Sequence, residues 1–147
     1  MKSSFPLIII SIAKPETENS ISLPAFSSTV QAGFPSPADD HIERRLDLNE
    51  LVISHPAATF YVKVEGESMC DAGIHSGDIL VVDRSKEPNH GKIVVAVING
   101  EFTVKRFLVN KDGAWLAPEN PAFSRIKVDS EADFQVWGVV TYIIHKT

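Results

Sequence analysis

The chain has 147 residues, of which 44% are hydrophobic and 22% charged, values typical of a globular protein with one core. Its formal net charge of -5 excludes the basic surface by which proteins grip nucleic-acid phosphates. The single cysteine, Cys70, excludes an internal disulfide and suits a reducing compartment, so we expect a cytoplasmic protein. No apolar run approaches the about 20 residues that cross a bilayer, so no membrane association is expected.

Residues 1–40 are predicted to form an extended N-terminal arm. They contain five of the nine prolines, which disfavours a packed helix. The apolar run at residues 7–13 resembles a short signal-peptide core, but Pro6 before it and Lys14 after it favour a strand. Residues 30–34 include several small side chains. A groove can bind such an extended segment as a strand, and the segment can then be cleaved there.

Residues 41–147 are predicted to form a β-rich domain. The sequence Asp47-Leu48-Asn49-Glu50 fits a capping box and predicts a short helix that runs to about Ser54. Strand composition then recurs at residues 60–64, 78–83, 91–98, 101–109, 114–117 and 134–145. The dipeptide Asn99-Gly100 is a strong hairpin signal. The fold is therefore predicted to be mainly β, a curled antiparallel sheet or partial barrel.

Two polar residues stand out against this sheet. Ser68 follows the first predicted strand of the domain in a loop that Gly66 allows to bend, so we expect its hydroxyl to point outward. Lys105 lies inside a strand, where its neighbours on the same face are Thr103 and Phe107. The lysine amine is therefore predicted to lie on a largely apolar face.

A serine and a buried lysine can form a catalytic pair. An ordinary lysine has a pKa of about 10.4, so only about one in a few thousand is neutral at pH 7. Burial lowers that pKa, and a neutral amine beside a serine hydroxyl acts as a general base. The alternative is that Ser68 only forms a turn and that Lys105 extends its ammonium to water.

Other chemistries are weakly supported by the sequence. The five histidines, at 41, 55, 75, 90 and 145, show no three- or four-residue spacing, so no zinc site and no cofactor are expected. His75 is an alternative base for Ser68, although it falls in a polar turn. Cys70 is an alternative nucleophile, although a lone cysteine is more often a small buried apolar group.

The motifs around this pair resemble a known family. The sequences Gly66-Glu67-Ser68-Met69, residues 77–83 and residues 100–106 are similar to those of the LexA/UmuD family of self-cleaving serine peptidases. In the arm, residues 31–37 and 45–49 resemble the UmuD branch, the mutagenesis accessory proteins. The first 20 residues match nothing in that pattern, so their role is left open.

This resemblance implies that the protein cuts its own arm between Ala32 and Gly33. It implies Ser68 as the nucleophile and Lys105 as the base, with the oxyanion held by the Ser68 N-H and a neighbouring amide, from Glu67 or Met69. The cut residues are Ala-Gly, as in LexA, whereas UmuD has Cys-Gly.

The resemblance also implies partners. In the family, a RecA filament on single-stranded DNA provokes cleavage, and the shortened homodimer joins a Y-family polymerase to copy past lesions in the SOS response. A LexA or phage-type repressor is the main alternative, but the 32 residues before the cut are broken by prolines and lack a helix-turn-helix, so no sequence-specific DNA binding is expected. A signal-peptidase-like enzyme and a non-catalytic interaction module are further alternatives.

Overall fold

The computed structural model describes residues 5–16, 22–26, 42–129 and 131–147, with the backbone alone for 22–26 and 42–46. The strands in these residues are β1 Ile8–Ala13, β2 Ser22–Phe26, β3 Ile42–Asp47, β4 Thr59–Glu65, β5 Ile79–Asp83, β6 Ile93–Ile98, β7 Glu101–Asn110, β8 Gly113–Ala117, β9 Ile126–Val128 and β10 Phe134–Ile144. The helix is α1 Leu48–Val52, and 3-10 turns lie at Pro56–Ala58 and Cys70–Ala72. None of the helices described is long and apolar enough to cross a membrane.

Eight of these strands form one antiparallel sheet in the order β1-β4-β5-β10-β6-β7-β8-β9. Strands β2 and β3 form a separate antiparallel pair. Contacts between β1 and β7, which are five positions apart in the order, show that the large sheet curls on itself. Irregular register in β10, between Val136 and Gly138 and between Val140 and Tyr142, adds the local twist that such curling needs. The predicted curled antiparallel sheet is confirmed.

Local sequence signals account for several boundaries. The Asp47 carboxylate caps α1 by accepting a 2.9 Å hydrogen bond from the Asn49 N-H, but the helix ends at Val52, earlier than the predicted Ser54. Asn99 and Gly100 have φ of 50° and 81°, the left-handed conformation that both central residues of a type I′ hairpin turn require, and they join β6 to β7 as predicted.

Three strands were not predicted from sequence: β2, β3 and β9. Strand β2, from the predicted arm, pairs with β3, from the predicted domain. The apolar run at residues 7–13 is confirmed as a strand from Ile8 to Ala13, and it lies at one edge of the large sheet. The first residue of the run, Leu7, is 2% exposed and belongs to the main core cluster, together with Val62, Val64, Met69, Ile74, Leu80, Val82, Val95 and Val104.

Candidate active site

Ser68 lies in the loop that follows β4. Gly66 has φ of 116°, a conformation that favours glycine, and it turns the chain out of the strand. The prediction that the hydroxyl points outward is wrong, because Ser68 is fully buried. Residues 5–7 lie against it: the Leu7 N-H donates to Ser68 Oγ at 2.9 Å, and the Glu67 N-H donates to the Phe5 carbonyl at 3.2 Å.

Lys105 lies in the middle of β7, which pairs with β6 on one side and β8 on the other. Its cross-strand neighbour is Val94, which is fully buried, and Phe107 packs against the same apolar cluster. Lys105 is itself only 6% exposed. Its Nζ lies 3.1 Å from Ser68 Oγ and 3.1 Å from the Val104 carbonyl oxygen. The structure therefore brings the two predicted residues within hydrogen-bond distance.

Burial changes the chemistry of this amine. Desolvation lowers the pKa of Lys105 to about 8. About a tenth of the amines are then neutral at pH 7, roughly two hundred times the fraction for a free lysine. A neutral amine has two N-H groups and one lone pair. One N-H can donate to the Val104 carbonyl while the lone pair accepts the Ser68 hydroxyl proton, so the geometry suits proton transfer.

The segment after β8 supports the Ser68 loop. The Glu119 N-H donates to the Ser68 carbonyl at 2.8 Å, and Asn120 Nδ2 donates to the Glu67 carbonyl at 2.8 Å. A fixed carbonyl also fixes the N-H of the same planar peptide group, here the N-H groups of Ser68 and Met69. Sequence reasoning missed this support, because Pro118-Glu119-Asn120-Pro121 reads only as a turn.

The same segment is tied to β7. The Arg106 side chain forms an ion pair with the Glu119 carboxylate and donates to the Gly91 carbonyl at 2.6 Å. Arg106 is the residue next to Lys105. The segment at Glu119 and Asn120 therefore contacts both the loop that carries Ser68 and the strand that carries Lys105.

The remaining candidate residues have other surroundings. The His75 N-H donates to the Asp78 carboxylate and its ring lies 5.6 Å from that of His145, so no described contact joins it to Ser68. Cys70 is half-buried. Within the described ranges, no group of three or more histidine, cysteine or acidic residues is placed to hold a metal. The predicted cut, Ala32-Gly33, lies outside the described residues.

Comparison with known proteins adds to this geometry. The family model described as Peptidase S24-like matches residues 24–141, a range that includes both Ser68 and Lys105. The chain belongs to the peptidase S24 family. This is a family of serine peptidases, which agrees with a buried serine beside a lysine of lowered pKa.

Individual S24 relatives cover much of the chain. It is 48% identical over 137 residues to Protein ImpA of Escherichia coli, and this alignment covers 92% of each protein. It is 45% identical over 122 residues to Protein MucA of Salmonella typhimurium, and this alignment covers 82% of this chain and 83% of MucA. It is 41% identical over 118 residues to LexA repressor 1 of Pseudomonas putida, and this alignment covers 80% of this chain and 58% of the repressor. The resemblance to UmuD-like members of the family is confirmed.

Proposed function

We propose that this S24 protein is a self-cleaving serine endopeptidase that removes its own N-terminal arm at the Ala32-Gly33 bond. The observation that carries the proposal is the 3.1 Å separation of Ser68 Oγ and Lys105 Nζ, both buried. A serine hydroxyl is a weak nucleophile until a base takes its proton, and a lysine with a pKa of about 8 can do so near neutral pH.

The first half of the reaction forms a bond between Ser68 and Ala32. Neutral Lys105 takes the hydroxyl proton as Ser68 Oγ attacks the Ala32 carbonyl carbon. The resulting oxyanion is held by the Ser68 N-H and by a neighbouring amide, from Glu67 or Met69. The Glu119 and Asn120 hydrogen bonds support this arrangement, because they hold the peptide groups on both sides of Ser68.

The second half breaks the peptide bond. Protonated Lys105 gives its proton to the Gly33 nitrogen, the C-N bond breaks, and Ala32 remains as an ester on Ser68. Water then attacks the ester, again with Lys105 as the base, and residues 1–32 leave with a new carboxylate. The small side chains suit the cut, because Ala32 needs only a shallow pocket and Gly33 lets the backbone approach closely.

We further propose that a RecA filament on single-stranded DNA stimulates the cut in the cytoplasm during the SOS response. The product, as a homodimer, then serves as an accessory subunit of a Y-family translesion polymerase. The similarity to ImpA and MucA over more than four fifths of each protein supports an accessory role. The similarity to the LexA repressor covers a smaller share of that protein, so a repressor is the second choice. Tight sequence-specific duplex binding in a gel shift would reverse this order.

Mass spectrometry of the purified full-length protein tests the peptidase activity. After incubation at pH 7 and pH 9, we expect two products, residues 1–32 and 33–147. The Ser68→Ala variant lacks the nucleophile and should give neither. Lys105→Arg should also give neither, because a guanidinium does not lose its proton in this range. Cleavage at another bond, or continued cleavage in either variant, contradicts the proposal.

A further inference from the structure

The N-terminal segment fills the cleft at the candidate active site. Strand β1 pairs antiparallel with β4, in a register that runs from Ile8 opposite Glu65 to Ala13 opposite Tyr61. The residues just before β1 continue onto the Ser68 loop, where the Leu7 N-H reaches Ser68 Oγ at 2.9 Å. Residues 5–7 therefore lie against the nucleophile, and residues 8–13 continue from them as a strand along β4.

The cleft is shaped for this segment. Leu7 is 2% exposed and packs among the buried side chains of the main core cluster. A side chain at residue 66 would collide with the backbone of the segment, because an added Cβ would lie 2.2 Å from the Pro6 carbonyl oxygen and 2.6 Å from Leu7 Cα. The absence of a side chain at residue 66 thus lets the strand approach the loop.

We propose that the edge of β4 and the Ser68 loop form a binding site for one extended strand, and that residues 5–13 fill it in competition with the segment that is cut. This inference rests on the proposed self-cleavage. The other edge of β4 is paired with β5, so only one strand can pair with the free edge at a time. Under this proposal, the Pro6-Leu7 peptide group occupies the space beside Ser68 Oγ that the Ala32-Gly33 peptide group would need.

The bound segment has the contacts of an inhibitor rather than of a substrate. Ser68 Oγ accepts the Leu7 N-H, so it lies near the plane of that peptide group, whereas attack on a carbonyl carbon comes from above the plane. The Glu67 N-H, a candidate oxyanion donor, is bonded to the Phe5 carbonyl. The segment therefore engages the nucleophile and one donor without presenting a carbonyl carbon to be attacked.

The position of β1 in the chain has a consequence for the product. Residues 5–13 precede the Ala32-Gly33 bond, so cleavage places them on the released fragment. Once the cut segment has left the site, residues 5–13 of the fragment can pair with β4 again and bury Leu7, so the fragment should rebind after the cut. Its dissociation exposes the edge of β4 and the Ser68 loop to other partners.

A pair of substitutions in the full-length chain tests the competition. Leu7→Asp places a charge in the core pocket and should release the segment, so self-cleavage should become at least about tenfold faster. Ile126→Asp is the matched control, since Ile126 is 41% exposed and lies on β9 at the other edge of the sheet. An unchanged or slower rate for Leu7→Asp overturns the inference.

A reversible lock gives the opposite effect. The cross-strand pair Ile8 and Glu65 can be changed to Ile8→Cys and Glu65→Cys in a Cys70→Ala background, because paired antiparallel residues have the spacing of a disulfide. Oxidation should stop self-cleavage and reduction should restore it. The control lock, Ala114→Cys with Val128→Cys, joins β8 to β9 and should have no effect. Normal cleavage in the oxidised β1-β4 lock overturns the inference.

Hydrogen exchange separates this inference from the proposed function. In full-length Ser68→Ala, which is not expected to cut itself, the amides of β1 should exchange at least about tenfold more slowly than in an unfolded peptide. Fast exchange in β1 overturns the strand-binding site. If the wild-type chain never cuts itself but β1 is protected, the proposed function fails and the strand-binding site stands.

Discussion

Strands β7 and β1 both reach Ser68, but the sheet holds them differently. Strand β7 is paired on both sides, with β6 and β8, and it places Lys105 Nζ 3.1 Å from Ser68 Oγ. Strand β1 is an edge strand paired only with β4, and the Leu7 N-H just before it lies 2.9 Å from the same oxygen. Edge strands separate more easily than central ones. The proposed base therefore lies on a strand that stays in the sheet, whereas the proposed inhibitor lies beside a strand that can leave it.

The largest effect should come from removing the amine on β7. Lys105→Met should reduce self-cleavage by at least about a hundredfold, the usual contribution of a general base. It should also stabilise the fold. The pKa of Lys105 is about 8 in the folded protein and about 10.4 in an unfolded chain, so burying this lysine is most costly below pH 8.

The stability difference has a defined pH dependence. At pH 7, Lys105→Met should raise the free energy of unfolding by up to about 3 kcal/mol, and the difference should shrink as the pH rises from 8 past 10.4. Denaturant unfolding in a Ser68→Ala background, where neither form is expected to cut itself, measures this. A less stable Met variant with no pH dependence contradicts the burial argument.

The support behind β7 should matter next. Asn120→Asp keeps the oxygen that accepts the Ala122 N-H but removes the donor to the Glu67 carbonyl, so it should slow self-cleavage about ten- to a hundredfold. The midpoint of the pH profile should stay the same, because Lys105 is untouched. Asn110→Asp is the control, since Asn110 makes a similar turn bond with Asp112. An unchanged rate for Asn120→Asp excludes a positioning role.

The pH dependence of self-cleavage should be smaller but clear. Only neutral Lys105 can accept the Ser68 proton, so with a pKa of about 8 the rate should rise about tenfold from pH 7 to pH 9 and then level off. Rates from gel densitometry of the wild-type chain measure it. A flat profile, or a rate that falls with pH, contradicts Lys105 as the base.

The smallest effect should come from the end of β1. The Lys14 ammonium donates to the Ala57 carbonyl at 3.2 Å and lies 5.4 Å from the centre of the Phe60 ring. Exposed contacts of this kind are worth less than about 1 kcal/mol, so Lys14→Ala should loosen β1 slightly and speed self-cleavage about two- to fivefold. Lys111→Ala, an exposed lysine in the turn after β7, should leave the rate unchanged. Slower cleavage by Lys14→Ala would mean that β1 assists the reaction.

Local patterns predicted the elements of the domain better than their partners. Alternation and the Asn99-Gly100 turn identified β6 and β7, and an apolar face identified Lys105 as a candidate base. The place of β1 was not predictable, because its pairing with β4 joins residues more than 45 positions apart and nothing in residues 7–13 specifies that partner.

The same limit applies to the candidate site. Ser68 and Lys105 were found because their side chains have distinctive chemistry. Asn120 was missed because it acts on a backbone carbonyl, which leaves no pattern around it in the sequence. The burial of Ser68 was mispredicted for a related reason, since Leu7, which contacts its hydroxyl, lies 61 positions earlier in the chain.

Titration of the Lys105 amine shows whether it can serve as the base for Ser68. Lysine side chains labelled with carbon-13 next to the amine can be followed by NMR in full-length Ser68→Ala, with Lys105→Met in the same background to assign the signal. A pKa near 8 is the predicted result, since the amine is buried against an apolar face. A pKa near the ordinary value of about 10.4 would show that the amine stays charged at neutral pH and would contradict its role as the base.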